Sequence, residues 1–134
     1  TEDRTQKSGL TRCFMIKGIG CDIIDVSRME RAMEKERFLE KVFTPNEREL
    51  IKNGGSAQSA AGMWAAKEAV SKALGTGFSG FSPKDVEILK DKNGRPCVQL
   101  YGGALEVFGK TGCENIYLSV SHERNTAVAF SVIE

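Results

Sequence analysis

Phosphate chemistry needs a hard cation held by carboxylates and a fixed positive charge beside it. Asp22, Glu68 and Lys72 offer those groups in this chain. Asp22 lies in the glycine-rich stretch GIGCD, residues 18–22, and Glu68 and Lys72 lie in WAAKEAVSKALGTG, residues 64–77. On a helix, Trp64, Glu68 and Lys72 fall at i, i+4 and i+8 and share one stripe. Ala61 and Ala65 keep the surface beside it thin, and Lys67 flanks the stripe, displaced by about 100°. Such a stripe can hold Mg²⁺ on the carboxylate and phosphate oxygens on the lysine. The same spacing also describes a plain i, i+4 ion pair contributing about 0.2–0.5 kcal/mol. Gly75-Thr76-Gly77 follows at the helix C-terminus, where the dipole repels anions. Phosphate binding there needs Lys72 together with backbone N–H groups of the turn.

The elements that must position these groups follow from local signals. Residues 15–24 alternate as a strand, with Ile16, Gly18, Gly20 and Asp22 on one face and Lys17, Ile19, Cys21 and Ile23 on the other. Glycines beside a lone carboxylate mark a face that something approaches closely. Asp22 can equally cap the next helix, as can Asp25. Ser27 with Glu30 fits a capping box and predicts a helix over about 28–39, with Arg28, Arg31, Glu34 and Lys35 outward. Thr44-Pro45-Asn46-Glu47 starts a second helix that ends near Asn53-Gly54-Gly55. Ser56 caps a third that runs to Leu74, with Gly75 as its left-handed stop. Residues 78–83 form a loop. Strands at 86–89 and 97–101 flank the turn Asp91-Lys92-Asn93-Gly94, and a short helix covers about 103–110. Strands at 116–122 and 126–133 make a second hairpin around Glu123-Arg124-Asn125. His122 alternates with Ile116, Leu118 and Val120, an apolar face that suits a core histidine. It also ends its strand beside a hairpin, where it can reach a cleft. The order is mixed α+β without regular βαβ alternation.

Composition bounds the function classes. A chain of 134 residues fits one domain, with 40% hydrophobic and 28% charged residues. A net charge of +1 gives no basic field for nucleic acid. No apolar run approaches the roughly 20 residues a membrane span needs. The four cysteines, Cys13, Cys21, Cys97 and Cys113, show no C-x-x-C spacing and suit reduced thiols in a cytoplasm. The polar start, residues 1–14, reads as a disordered or tag-like extension before a domain over 15–134.

GIGCDIIDVSRME, WAAKEAVSKALGTG and LSVSHERNTAVAF, in that order, resemble the holo-[acyl-carrier-protein] synthases, the small bacterial branch of the 4′-phosphopantetheinyl transferases. The likeness spans about 15–134. It rests on Gly20-Cys21-Asp22 and on Lys67-Glu68-Ala69-Val70-Ser71-Lys72, with the His122 strand in support. The resemblance implies an α+β domain with an antiparallel sheet packed against helices, assembling as a homotrimer with sites between subunits. It implies transfer of 4′-phosphopantetheine from coenzyme A to a serine of apo acyl carrier protein, releasing adenosine 3′,5′-bisphosphate, for fatty acid biosynthesis. Asp22 and Glu68 would bind Mg²⁺, and Lys72 would neutralise the pyrophosphate. Gly75, Thr76, Gly77 and His122 would line the coenzyme A site, and Arg28 and Arg31 would dock the carrier protein. One departure stands out. Family helices carry Arg before the aromatic where this chain has Met63, and Arg48, Lys52 or a neighbouring subunit would have to compensate. Competing readings are a non-catalytic coenzyme A or nucleotide-binding module, a docking protein for acidic partners, and a metal-dependent pyrophosphate hydrolase.

Overall fold

The computed structural model describes residues 15–55 and 57–134. The expected extension at 1–14 and the Ser56 cap lie outside those residues. The first strand, β1, spans Gly18–Asp25 and is followed directly by α1, Val26–Ala32. Asp25 is the N-cap of α1, its carboxylate accepting from the Ser27 N–H and hydroxyl at 3.3 and 3.1 Å. The expected Ser27 capping box is therefore replaced by an Asp25 cap one turn-start earlier. The expected single helix over 28–39 is also two: α1 ends at Ala32 and α2 covers Glu36–Val42. The chain re-starts at Lys35, an extended residue with φ −101° and ψ 116°. This turn lets Met29 on α1, Val42 at the end of α2 and Phe43 just after it all reach the core.

Helix α3, Pro45–Asn53, starts as its sequence predicts, with the Thr44–Glu47 capping box formed in both directions. Helix α4, Ala57–Ala73, is the central element. It is buried along most of its length through Ala60, Ala61, Ala65, Ala66, Ala69, Val70 and Ala73. It closes at Gly75, whose φ of 90° is left-handed as expected. A 3₁₀ turn at Pro83–Asp85 leads into the hairpin β2, Val86–Lys90, and β3, Pro96–Leu100. Then come α5, Gly102–Thr111, β4, Ile116–His122, and β5, Thr126–Ile133.

The main sheet has the order β1-β5-β4, antiparallel throughout, so the first strand pairs with the last. One face packs on α4. Gly18 and Gly20 make that packing a backbone contact: a Cβ on either would lie 1.9 Å from the carbonyl oxygen of Ala73 or Ala69. What approaches the glycine face so closely is the alanine-rich helix itself. The opposite face is apolar yet open, with Ile19 59%, Ile23 68%, Tyr117 50% and Phe130 47% exposed. Register sets Phe130 between Cys21 and Ser119. No helix among the described residues is long and apolar enough to cross a membrane.

Candidate functional site

The β1–α4 backbone contact decides where the carboxylates stand. Asp22 follows Gly20 on the inner face of β1, so it projects toward the turn of α4 that carries Glu68 and Lys72. The Lys72 ammonium bonds the Asp22 carboxylate at 3.2 Å and the Cys21 carbonyl at 3.0 Å. Lys72 thus reaches across to the strand, whereas the simple i, i+4 reading paired it with Glu68. Its side chain is 50% exposed and that of Asp22 only 20%. Burial and then the neighbouring Asp22 charge raise the Glu68 pKa, and Lys72 opposes that shift. Two carboxylates that crowd one another and a lysine that partly compensates make a cation-seeking site. The donor set fits a hard ion, since Asp22 and Glu68 both offer carboxylate oxygens.

Gly75, Thr76 and Gly77 lie at the same end of α4 as Lys72. The Gly75 N–H bonds the Lys72 carbonyl at 2.9 Å and the Gly77 N–H bonds the Ser71 carbonyl at 3.1 Å. Gly77 has a φ of 62° and Thr76 is exposed, so the turn presents its outer surface to solvent.

His122 is elsewhere. It is exposed at the end of β4, which corrects the core-histidine reading: the strand gives way there to the exposed hairpin Glu123-Arg124-Asn125. It lines a cleft of about 220 Å³ with Gln58, Ser59, Gly62, Met63, Lys90 and Pro96. Among the described residues no carboxylate lines this cleft, and Lys90 is its one permanent cation. Gly62 and Lys72 are ten residues apart on α4, about 15 Å along the axis. The structure therefore brings Asp22, Glu68, Lys72 and the Gly75–Gly77 turn together, and sets His122 apart from them within the protomer. The residues expected to replace the arginine at Met63 are not in the cleft. Arg48 donates to the Phe43 carbonyl at 2.8 Å, and Lys52 is exposed outside the lining. Lys90, which no motif or spacing singles out, is. Arg28 and Arg31 are both exposed on α1, with Lys35 just beyond.

Lys67, in the middle of the motif, faces inward. Its side chain is fully buried and pairs with Glu47 at 2.8 Å. Helical phase was the signal: about 100° from the solvent-facing stripe of Glu68 is, on a helix this buried, the core side.

A mixed α+β domain that sets two carboxylates and a lysine beside a glycine turn is a frame that phosphoryl-group transfer can use. The profile of the 4′-phosphopantetheinyl transferase superfamily matches residues 18–131, and the chain belongs to that family. It groups with the holo-[acyl-carrier-protein] synthases. The enzyme of that name from Alkaliphilus metalliredigens is 49% identical over 120 residues, which cover 88% of this chain and 98% of the relative. The crystal structure of the Neisseria meningitidis enzyme superposes with a TM-score of 0.82 at 32% identity, covering 90% of this chain and 99% of the other. That of the Bacillus anthracis enzyme, in complex with coenzyme A (3′,5′-ADP), gives 0.74 at 36% identity, covering 89% and 96%.

Proposed function

We propose that this transferase moves 4′-phosphopantetheine from coenzyme A to a serine hydroxyl of an apo acyl carrier protein, with Mg²⁺ bound at Asp22 and Glu68. The observation that carries this reading is the convergence of Asp22, Glu68 and Lys72 across the β1–α4 backbone contact. In the reaction the serine oxygen forms a bond to the phosphorus that bears pantetheine, and its proton passes to Glu68 or to water acting as base. The bond from that phosphorus to the bridging oxygen breaks, and adenosine 3′,5′-bisphosphate leaves with the electron pair. When bound, Mg²⁺ would neutralise charge on the pyrophosphate. Lys72, half exposed, is free to turn from Asp22 to the phosphate oxygens, beside the exposed Thr76 of the turn. Little covalent work falls to the protein, so placing these charges is its main contribution.

The assembly we propose is a homotrimer in the cytoplasm. Its support is the open apolar face of the β1-β5-β4 sheet, a surface suited to packing against another copy. A shared site also joins the two separated halves: the cleft of one subunit, with His122 and Lys90, would receive the nucleotide whose pyrophosphate meets the carboxylates of its neighbour. Lys90 then supplies the cation absent at Met63. Arg28 and Arg31 would hold the acidic carrier protein. The paired carboxylates favour a transferase over a module that only binds coenzyme A.

Intact-mass spectrometry tests the reading. An apo carrier protein incubated with this protein, coenzyme A and Mg²⁺ gains one phosphopantetheine, and a chelator stops the gain. A folded protein that modifies no carrier protein would refute it.

A further inference from the structure

Every proton of the buried Lys67 ammonium is engaged. It has three protons, and three acceptors meet them: Glu47 Oε2 at 2.8 Å, the Pro83 carbonyl at 2.8 Å and the Val86 carbonyl at 2.7 Å. Glu47 is equally committed. It accepts from the Ile88 N–H at 2.7 Å and from the Thr44 N–H at 2.9 Å. Burial pushes Glu47 up and Lys67 down, and their mutual attraction opposes both shifts. Both side chains are fully buried, so the pair is costly to desolvate.

The pair holds one end of a particular segment. Residues 75–85 leave α4 beside Lys72 and fold back along the helix. The near end is tied by the Gly75 and Gly77 amides to Lys72 and Ser71. In the middle, Phe78 stacks on Trp64 at 5.9 Å and 21°, and Phe81 meets Phe78 edge-on at 5.8 Å. At the far end the carbonyls of Pro83 and Val86 close on Lys67. The segment carries the Gly75–Gly77 turn, and apart from local bonds and ring contacts it is held also by the Asp85 carbonyl, which accepts from the Tyr101 N–H at 2.9 Å.

We propose that Lys67 is a positioning residue: its ammonium, neutralised by Glu47, clamps the 75–85 loop onto α4 and so sets the turn beside Lys72 that receives coenzyme A. The proposal rests on the transferase reading for its functional half. It assigns Lys67 to substrate binding through the loop, with no contact to substrate.

A purely structural pair behaves differently, because replacing a buried ion pair by neutral groups of similar volume is often harmless to stability. The test is the full-length double variant Glu47→Gln/Lys67→Met, which removes both charges together. The chain has one tryptophan, so Trp64 fluorescence reports the Phe78 stack directly. We expect a cooperative melt, altered Trp64 emission, and a KM for coenzyme A raised about tenfold with kcat changed less than about threefold. Native emission with native KM in the folded variant would overturn the clamp, and so would a loss confined to kcat. Hydrogen exchange of the unaltered protein is the second measurement, and it does not depend on the variant folding. The Gly77 and Asp85 amides should exchange with the cooperative unit of α4, and exchange orders of magnitude faster would overturn the proposal. If the unaltered protein transfers no phosphopantetheine, the transferase reading fails, yet emission and exchange still decide the clamp.

Discussion

Replacing Gly20 by alanine should damage the site from a distance that can be worked out. A Cβ there would stand 1.9 Å from the Ala69 carbonyl oxygen, 2.8 Å from the Ala73 nitrogen and 2.9 Å from the Ala69 carbonyl carbon. All three are backbone atoms of α4, so no side chain can turn aside. Ordinary contact begins near 3.4 Å, so strand and helix must part by about 1.5 Å, from 1.9 to 3.4 Å. Overpacking of this kind costs about 1–3 kcal/mol. At this chain length each kcal/mol lowers Tm by roughly 3–5 °C, so Gly20→Ala should lose about 3–15 °C. Asp22 lies two residues on, on the same face, and moves away from Glu68 with the strand. A misplacement near 1 Å can cost about 10²-fold in rate. Thermal melts and Mg²⁺ titrations of the transfer reaction check both parts, with Gly62→Ala as the control. There the new Cβ meets only Val120 Cγ1, at 3.2 Å, a side chain able to shift. Alanine in that helix interior gains up to about 1 kcal/mol in propensity, so Gly62→Ala should melt no lower than the native protein. A Gly20→Ala protein with native Tm and native Mg²⁺ half-saturation would refute the argument that glycine contact places Asp22.

Four other outcomes can be checked. Glu68, with its pKa raised by burial and Asp22, binds its proton more tightly folded than unfolded. Its contribution to stability is therefore full at low pH and is lost as pH rises through the raised value, and Mg²⁺ half-saturation should climb as pH falls into that same window. Glu68→Gln should flatten that part of the stability–pH curve and abolish transfer, which urea melts and mass spectrometry measure together. Arg28→Glu, at an exposed position on α1, should raise the KM for carrier protein several-fold and leave that for coenzyme A alone, and added salt should mimic it. Ile23→Glu, on the open sheet face, should lower the solution mass to that of a monomer by light scattering while the fold persists. Lys90→Met should raise the KM for coenzyme A more than that for its analogue lacking the 3′-phosphate, since Lys90 is the permanent cation of the cleft.

Punctuated elements were legible in the sequence. Thr44-Pro45-Glu47 fixed the start of α3, Gly75 the end of α4, and the two C-terminal strands match their predicted ranges because alternation and turn residues agree. The break between α1 and α2 was hidden, because Met33, Glu34 and Lys35 carry no glycine or proline and only tertiary burial of Phe43 and Val42 demands it. Asp22, Glu68 and Lys72 were nameable from type and spacing. Their meeting depends on β1 pairing with β5 and packing on α4, which no local signal encodes. Lys67 illustrates the converse: its inward phase was readable, but its partner Glu47 sits twenty residues earlier on another helix.

The pairing of β1 with β5 has a consequence for how the molecule is made. Asp22 leaves the ribosome 107 residues before its strand partner Ala129. At about 5–20 residues per second, roughly five to twenty seconds of translation separate the two. Until β5 arrives, β1 offers a free edge and an apolar face with nothing to pair with, a species prone to aggregation. Contacts this distant in sequence are also slow to form. The carboxylate pair is therefore among the last features to be completed, and a chain interrupted before Thr126 would contain every proposed metal-binding and phosphate-binding residue while lacking the strand that holds them in place.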